Sequence, residues 1–260
     1  MDQLLTLGEA PARQHPWSDY VAMGFTAEHV PELIRMVNDE ELAVADSDSA
    51  EVWGGLHAWR TLGQLRAEGA IGTLVALLEG DDSDWVHNEL PRVLGMIGPA
   101  ALEPLRAALS AHSMDEEPWT AAAAADGIVE IAKRFPEARD PVLDALMRQL
   151  RWWQRQDPEL NGFLVSDLVE LKAVEAAPLM EEVFAADAAE IGIRGDWEDV
   201  QVELGLLPAR ITPRPQYFVW RRDLHPTPDL RIPAARSSAD DAKKRRKAEK
   251  AARRKNRKRR

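Results

Sequence analysis

The 260-residue sequence contains no cysteine. This absence excludes disulfides, thiol nucleophiles and every zinc or iron–sulfur site that needs thiolate ligands. The sequence also lacks an apolar run of the roughly 18 to 20 residues that a membrane-spanning helix requires. Its first residues contain neither a basic segment nor an apolar core, so we expect no secretory signal. Together these absences predict a cytoplasmic protein without a membrane span.

Motifs of enzyme chemistry are missing as well. The six histidines form no H-x-x-x-H pair, the spacing that places two imidazoles on one side of a helix. There is no G-x-S-x-G turn, phosphate-binding glycine loop or dinucleotide fingerprint. Acidic clusters at 81–84 and 115–117 are explained by loops and helix starts, with a divalent-cation site as the alternative. We therefore predict a protein that is not an enzyme and uses no cofactor or metal.

What the sequence does contain is an internal repeat. An apolar residue is followed three positions later by a leucine, and four positions after that by another apolar residue. Offsets of 0, 3 and 7 place all three side chains on one face of an α-helix. Successive copies begin 41, 31, 41 and 33 residues apart. The copies are Val30–Leu33–Val37, Ile71–Leu74–Leu78, Leu102–Leu105–Leu109, Leu143–Leu146–Leu150 and Ala176–Leu179–Val183.

Another helix is predicted before most copies, and a tryptophan marks its start. The tryptophans that share this position are Trp53, Trp85, Trp119 and Trp197. A shared position in each repeat indicates packing between helices. Asp84 and Asp196 directly precede two of these tryptophans and are predicted N-caps.

Each predicted helix pair has an apolar face that it cannot bury alone, so neighbouring pairs must stack. The predicted fold is all-α: an α-solenoid of stacked antiparallel helix pairs over residues 25–207, after an N-terminal cap at 1–24. The proline-rich segment 208–236 is predicted to be an extended strap. Its aromatic cluster Tyr217–Trp220 is expected to dock on the last unit. Residues 237–260 are predicted to be a basic tail that is disordered or partly helical.

The stretch 57–105, with the units at 119–150 and 160–184, resembles the bacterial HEAT-like repeats of the phycobilisome-lyase type. The resemblance covers roughly residues 25–207. It implies a repeat scaffold, with a bilin lyase or chromophore chaperone as one known use of the family. The di-iron hydroxylases of similar fold carry His-Glu dipeptides on successive helices, and this sequence has none.

The sequence is acidic overall but ends on a basic segment. Lys243–Arg260 has thirteen Lys or Arg residues and one acid, so it carries +12 while the first 242 residues carry −23. Such runs favour polyanions. A solvated appendage and a clasp on the protein's own acidic body are the alternatives. The predicted polyanion contacts are Lys243, Lys244, Arg245, Arg246, Lys247, Arg253, Arg254, Lys255, Arg257, Lys258, Arg259 and Arg260.

The adjacent pair Trp152 and Trp153 is predicted to include a partner contact. Neighbouring positions on a helix cannot both face one core, so one ring is expected to be exposed beside Arg151 and Arg155. An exposed aromatic ring next to arginine favours binding. The alternative is that Pro158 and the following helix cover the ring.

These observations support three hypotheses about function. The first is a non-catalytic HEAT-repeat interaction scaffold that binds a protein partner through a concave face built from the second helix of each pair. The second is an RNA- or ribosome-associated factor whose tail makes non-specific phosphate contacts. The third, a bilin lyase or chromophore chaperone, rests on the family resemblance alone.

Overall fold

The computed structural model describes residues 1–10, 16–43, 45–46, 48–81 and 83–215. Within these ranges the regular structure is helical and contains no strand, which confirms the all-α prediction. None of the helices in the described part combines the length and the apolarity needed to cross a bilayer. The Tyr217–Trp220 cluster, the remainder of the strap and the basic tail lie outside the described residues.

The α-helices alternate with short connections along the described chain. They are α1 (Asp2–Leu5), α2 (Val30–Val37), α3 (Glu40–Ala43), α4 (Gly54–Gln64), α5 (Ile71–Gly80), α6 (Asp84–Ile97), α7 (Leu102–Ala111), α8 (Trp119–Arg134), α9 (Arg139–Leu150), α10 (Pro158–Glu170), α11 (Ala177–Ala185), α12 (Ile191–Arg194) and α13 (Trp197–Leu204).

Four of these helices, α4, α6, α8 and α10, pack one against the next and form what we term the first-helix layer. Their starts are adjacent: the ring of Trp53, the N-cap of α4, lies 5.3 Å from that of Trp85 in α6. Their ends are adjacent too, since Gly63 of α4 lies against Val93 of α6 and Lys133 of α8 forms an ion pair with Glu170 of α10. Helices that meet at both their starts and their ends run parallel.

The second helix of each pair begins with a single 3₁₀ turn. These turns span Ala27–His29, Glu68–Ala70, Pro99–Ala101, Pro136–Ala138 and Val174–Ala176. In the last four turns the final residue is a buried alanine. The fourth residue after each of these alanines is fully buried, as Leu74 and Leu105 illustrate. The turns therefore define the repeat, and their last residues lie 41, 31, 37 and 38 residues apart.

This register corrects the sequence prediction for the last two copies. Helix α9 begins at Arg139, one turn before the predicted anchor Leu143. Leu143, Leu146 and Leu150 are all buried, so they fit the 0, 3, 7 pattern although Leu143 lies one turn after the start of the helix. In α11 Met180, not Leu179, is fully buried.

Helix capping agrees with prediction at one of two positions. Asp196 is the N-cap of α13 and accepts a hydrogen bond of 3.0 Å from the Asp199 N–H. At α6 the prediction was wrong, because Ser83 is the N-cap and accepts from the Val86 N–H at 3.4 Å. Asp84 is the first helical residue instead, where a carboxylate still interacts favourably with the helix dipole.

The chain before α2 is fixed to α4 by buried polar contacts. The Tyr20 hydroxyl lies 2.7 Å from His57 Nδ1, and His57 Nε2 lies 2.9 Å from the Gly8 carbonyl. Since a carbonyl only accepts, Nε2 carries the proton and Nδ1 accepts from Tyr20. Burial raises the pKa of Tyr20 and lowers the pKa of His57, so both side chains are neutral here.

A buried ion pair joins α4 to α6. Arg60 donates from Nε and Nη2 to the two carboxylate oxygens of Glu89, each at 2.7 Å, and both side chains are buried. The guanidinium carbons of Arg60 and Arg92 lie 4.6 and 4.1 Å from the ring centroid of Trp17. The first-helix layer thus has a charged interior link at this end, which the apolar periodicity did not predict.

Candidate protein-binding edge

The connections at the two edges of the first-helix layer differ strongly in net charge. We term the connections that lead into α4, α6, α8, α10 and α13 the start edge, and their sequences carry a net −12. We term the connections from a first helix to its second helix the far edge, and these carry −1. The start-edge connections are 38–53, 81–83, 112–118, 151–157 and 186–196, and the far-edge connections are 65–70, 98–101, 135–138 and 171–176.

The start edge also exposes large apolar side chains. Trp85 and Trp119 lie in the first turns of α6 and α8 and are 42% and 45% exposed. Met114, in the connection before α8, is 71% exposed. Trp53 and Trp197 pack against the core, as predicted for all four tryptophans that share this position. Trp85 and Trp119 meet this prediction only in part, because each ring contacts one neighbouring ring and leaves close to half of its surface exposed.

Contacts between helices hold the exposed rings in place. Trp85 contacts Trp53 edge-on, and the ring of Trp119 lies 6.0 Å from that of Phe163 in α10. His87 Nε2 and the Thr120 hydroxyl, 3.4 Å apart, link the starts of α6 and α8. The tryptophans are therefore anchored on one side and open on the other.

The connection before α10 carries the four residues predicted from the tryptophan pair. Trp152 is 55% exposed, and the guanidinium carbon of Arg155 lies 5.1 Å from its ring centroid. Trp153 packs against the core, and its carbonyl accepts a 3.0 Å hydrogen bond from Asn161. Arg151 is exposed, and Pro158 leaves the Trp152 ring open to solvent. One ring is thus exposed and one packed, as the sequence predicts.

The connection before α8 is shaped by a histidine between two carboxylates. His112 Nδ1 lies 2.7 Å from Asp115, and its Nε2 lies 3.5 Å from Glu79 at the end of α5. The next two residues, Glu116 and Glu117, are exposed. This loop therefore presents two carboxylates immediately before the exposed ring of Trp119.

At the last unit the start edge binds a segment of the strap. Arg210 contacts Asp196 at 2.5 and 2.8 Å and Asp199 at 2.8 Å, and Arg214 contacts Asp199 at 2.7 Å. The Arg210 hydrogen bond is the main reason that the pKa of Asp196 is lowered. Glu198 accepts hydrogen bonds from the backbone and hydroxyl of Thr212.

The sequence predicted that the strap would dock, but through Tyr217–Trp220, which lie outside the described residues. The docking that the structure describes uses arginine and carboxylate groups at 196–199 and 210–214. The unequal distribution of acids between the two kinds of connection is the sequence signal that could have revealed this edge.

A cleft of about 650 Å³ opens beside the docked strap. Phe184 and Trp197 form an aromatic wall, with ring centroids 5.8 Å apart. Ile211 of the strap and the carboxylate of Asp187 also line the cleft. The cleft therefore repeats at the last unit the combination of aromatic rings and acids found along the start edge.

Within the described ranges, histidine and carboxylate groups nowhere gather in a set of three or more that could hold a metal ion. Comparison with protein-family models, with curated proteins and with solved structures found no match.

Proposed function

We propose that this protein is a non-catalytic α-solenoid scaffold of HEAT-like repeats that binds a protein partner along its start edge. The repeat architecture is supported by the parallel succession of first helices and by the 3₁₀ turn that begins each second helix. The binding role is supported by one observation above all: the partly exposed rings of Trp85, Trp119 and Trp152 on an acidic edge.

The edge is a better binding surface than the second helices. Binding energy at protein interfaces is concentrated in a few residues, among which Trp, Tyr and Arg are enriched. In the described part of the chain α5, α7, α9 and α11 expose no large apolar side chain. A partner on those helices would meet mainly polar and charged groups, whereas the start edge offers anchored aromatic rings.

The partner surface is tested by quantitative co-purification from the native cell with nuclease treatment. A Trp85→Ser, Trp119→Ser double variant is compared with the wild type and with Val174→Ser. Val174 is a half-exposed apolar residue of the far edge and serves as the matched control. We expect a nuclease-resistant partner to be reduced at least tenfold by the tryptophan variant only. Equal recovery with all three proteins would refute the start edge as the binding surface.

A second candidate function, non-specific polyanion binding, is favoured by the +12 charge of Lys243–Arg260. If the segment neutralises six to ten phosphates, its affinity for RNA should fall by roughly 10³ to 10⁵ between 50 and 200 mM salt. Full-length protein and a 1–236 truncation are compared in an RNA titration. Identical weak binding by both would eliminate this function.

A further inference from the structure

The start edge already binds one peptide segment, and that segment shows what the edge recognises. Arg210–Arg214 reads Arg-Ile-Thr-Pro-Arg, and its two arginines are held by carboxylates at the first turn of α13. Arg210 engages three acidic side chains at once, Asp196, Glu198 and Asp199. Charge-assisted bonds of this kind, with two donors on one carboxylate, are strong and geometrically specific.

Part of this chemistry recurs at earlier units, where acids lie beside exposed tryptophans but the positions that correspond to Glu198 and Asp199 hold no acid. Asp84 directly precedes the exposed ring of Trp85, and Glu116 and Glu117 precede that of Trp119. Within the described ranges the side chains of these three acids form no ion pair. A guanidinium group fits such a position, because it bonds to carboxylates through its edge and stacks on an aromatic ring through its face.

We infer that the partner presents an extended, arginine-bearing segment to the start edge, in the manner of Arg210–Arg214. This inference rests on the proposed function and names the chemistry of the partner. Charge complementarity favours it, because the start-edge connections carry −12 and the far-edge connections only −1. Nucleic acid would be repelled by the same surface.

Helix spacing sets the expected period of the arginines. Packed helices lie about 8–10 Å apart, so neighbouring acid–tryptophan positions on α6 and α8 should be separated by about that distance. A polyproline II strand has three residues per turn and rises about 3.1 Å per residue. Arginines at every third position therefore lie on one face, about 9 Å apart. Arg210 and Arg214 are four residues apart and both contact Asp199 of one unit, whereas a segment that spans neighbouring units should repeat an arginine at intervals of about three residues.

The probe is a fluorescein-labelled peptide of four Arg-Thr-Pro repeats, titrated with full-length protein at 150 mM salt and followed by fluorescence polarisation. One control peptide replaces each arginine with lysine, and a second has the same composition with its arginines adjacent. We expect saturable binding of the first peptide and at least fivefold weaker binding of both controls. Equal affinity for all three would overturn the inference, because it would indicate charge attraction alone.

Paired protein variants locate the peptide. Glu116→Gln, Glu117→Gln removes two exposed carboxylates from the start edge, and Glu68→Gln, Glu137→Gln removes two from the far edge. We expect the first pair to weaken binding at least threefold and the second to change it less than twofold. Equal effects would overturn the assignment to the start edge. If the peptide does not bind while the tryptophan variant still loses its co-purified partner, the inference fails and the proposed function stands.

Discussion

The two edges of the first-helix layer use their charged residues in opposite ways. Near the far edge the charges are paired: Lys133 of α8 reaches Glu170 of α10 and so joins two helices, and Glu130 pairs with Lys133 and Arg134 within α8. At the start edge acids greatly outnumber bases, and exposed tryptophans lie among them. Paired charges support the fold, whereas the proposed binding surface consists of unpaired charges beside aromatic rings.

Helix direction explains why the acids lie where they do. Parallel first helices bring all of their N-termini to one edge, where carboxylates are favoured by the helix dipoles. Their C-terminal turns meet at the other edge, where Lys133 and Arg134 lie in the last turn of α8. The parallel layer therefore favours acids at the start edge before any partner is considered.

The largest effect is expected from a residue at neither edge. Glu89→Ala leaves the guanidinium of Arg60 buried without its carboxylate partner, and breaking a buried pair in this way costs about 3–5 kcal/mol. Urea denaturation measures the loss, with Glu137→Ala at the exposed far edge as the control. A change below about 1 kcal/mol for Glu89→Ala would show that the interior pair does not support the layer.

The next effect tests how closely α6 and α8 approach near the far edge. A Cβ added at Gly95 would lie 2.9 Å from the backbone carbonyl carbon of Glu130, closer than packed atoms allow. Gly95→Ala should therefore lower the free energy of unfolding by about 1–3 kcal/mol.

Gly72→Ala is the matched control, because nothing lies within 4 Å of the added Cβ and the residue is in the helical part of α5. It should be neutral or stabilise the protein by up to about 1 kcal/mol. Equal destabilisation by both substitutions would contradict the close approach at Gly95.

The smallest expected effect is a difference between the two edges in how their acids make the free energy of unfolding depend on pH. Burial alone would raise the pKa of Glu130, but hydrogen bonds and charge from Arg134 and Lys133 outweigh it, so the pKa lies below the ordinary 4.5. A lowered pKa in the folded state contributes stability at neutral pH that is lost as the pH falls below 4.5. Glu130→Gln should remove this loss, on the order of 1 kcal/mol for a partly exposed pair.

Chemical denaturation at pH 7 and at pH 3.5 measures this difference. The Glu116→Gln, Glu117→Gln pair provides the start-edge comparison, and its stability should follow the wild type at both pH values. If the Glu116→Gln, Glu117→Gln variant also lost the destabilisation at pH 3.5, the proposed division between charges that stabilise the fold and charges that bind a partner would be wrong.

Much of the helical organisation could be predicted from local sequence. The 0, 3, 7 pattern identified each second helix, because a buried face leaves its period in the sequence. The split between Trp152 and Trp153 followed from the geometry of adjacent positions. The register of α9 could not be predicted, because the helix begins at the charged residue Arg139 while the apolar pattern first matches one turn later, at Leu143.

The ionic contacts escaped prediction for a different reason. Arg60 and Glu89 are 29 residues apart, and Arg210 and Asp196 are 14 apart, so no local pattern links either pair. Their contact depends on which helices become neighbours and on where the strap runs. The start edge itself also required helix directions, since its acids come from connections spread between residues 38 and 196.

The central claim is tested most directly by hydroxyl-radical footprinting of the full-length protein, with and without its co-purified partner. Oxidation of each tryptophan and methionine is quantified by mass spectrometry. We predict protection of Trp85, Met114, Trp119 and Trp152, which the start edge exposes. Met147, partly buried in the second helix α9, should be unchanged. Protection of Met147 with full oxidation of the four start-edge residues would contradict the account.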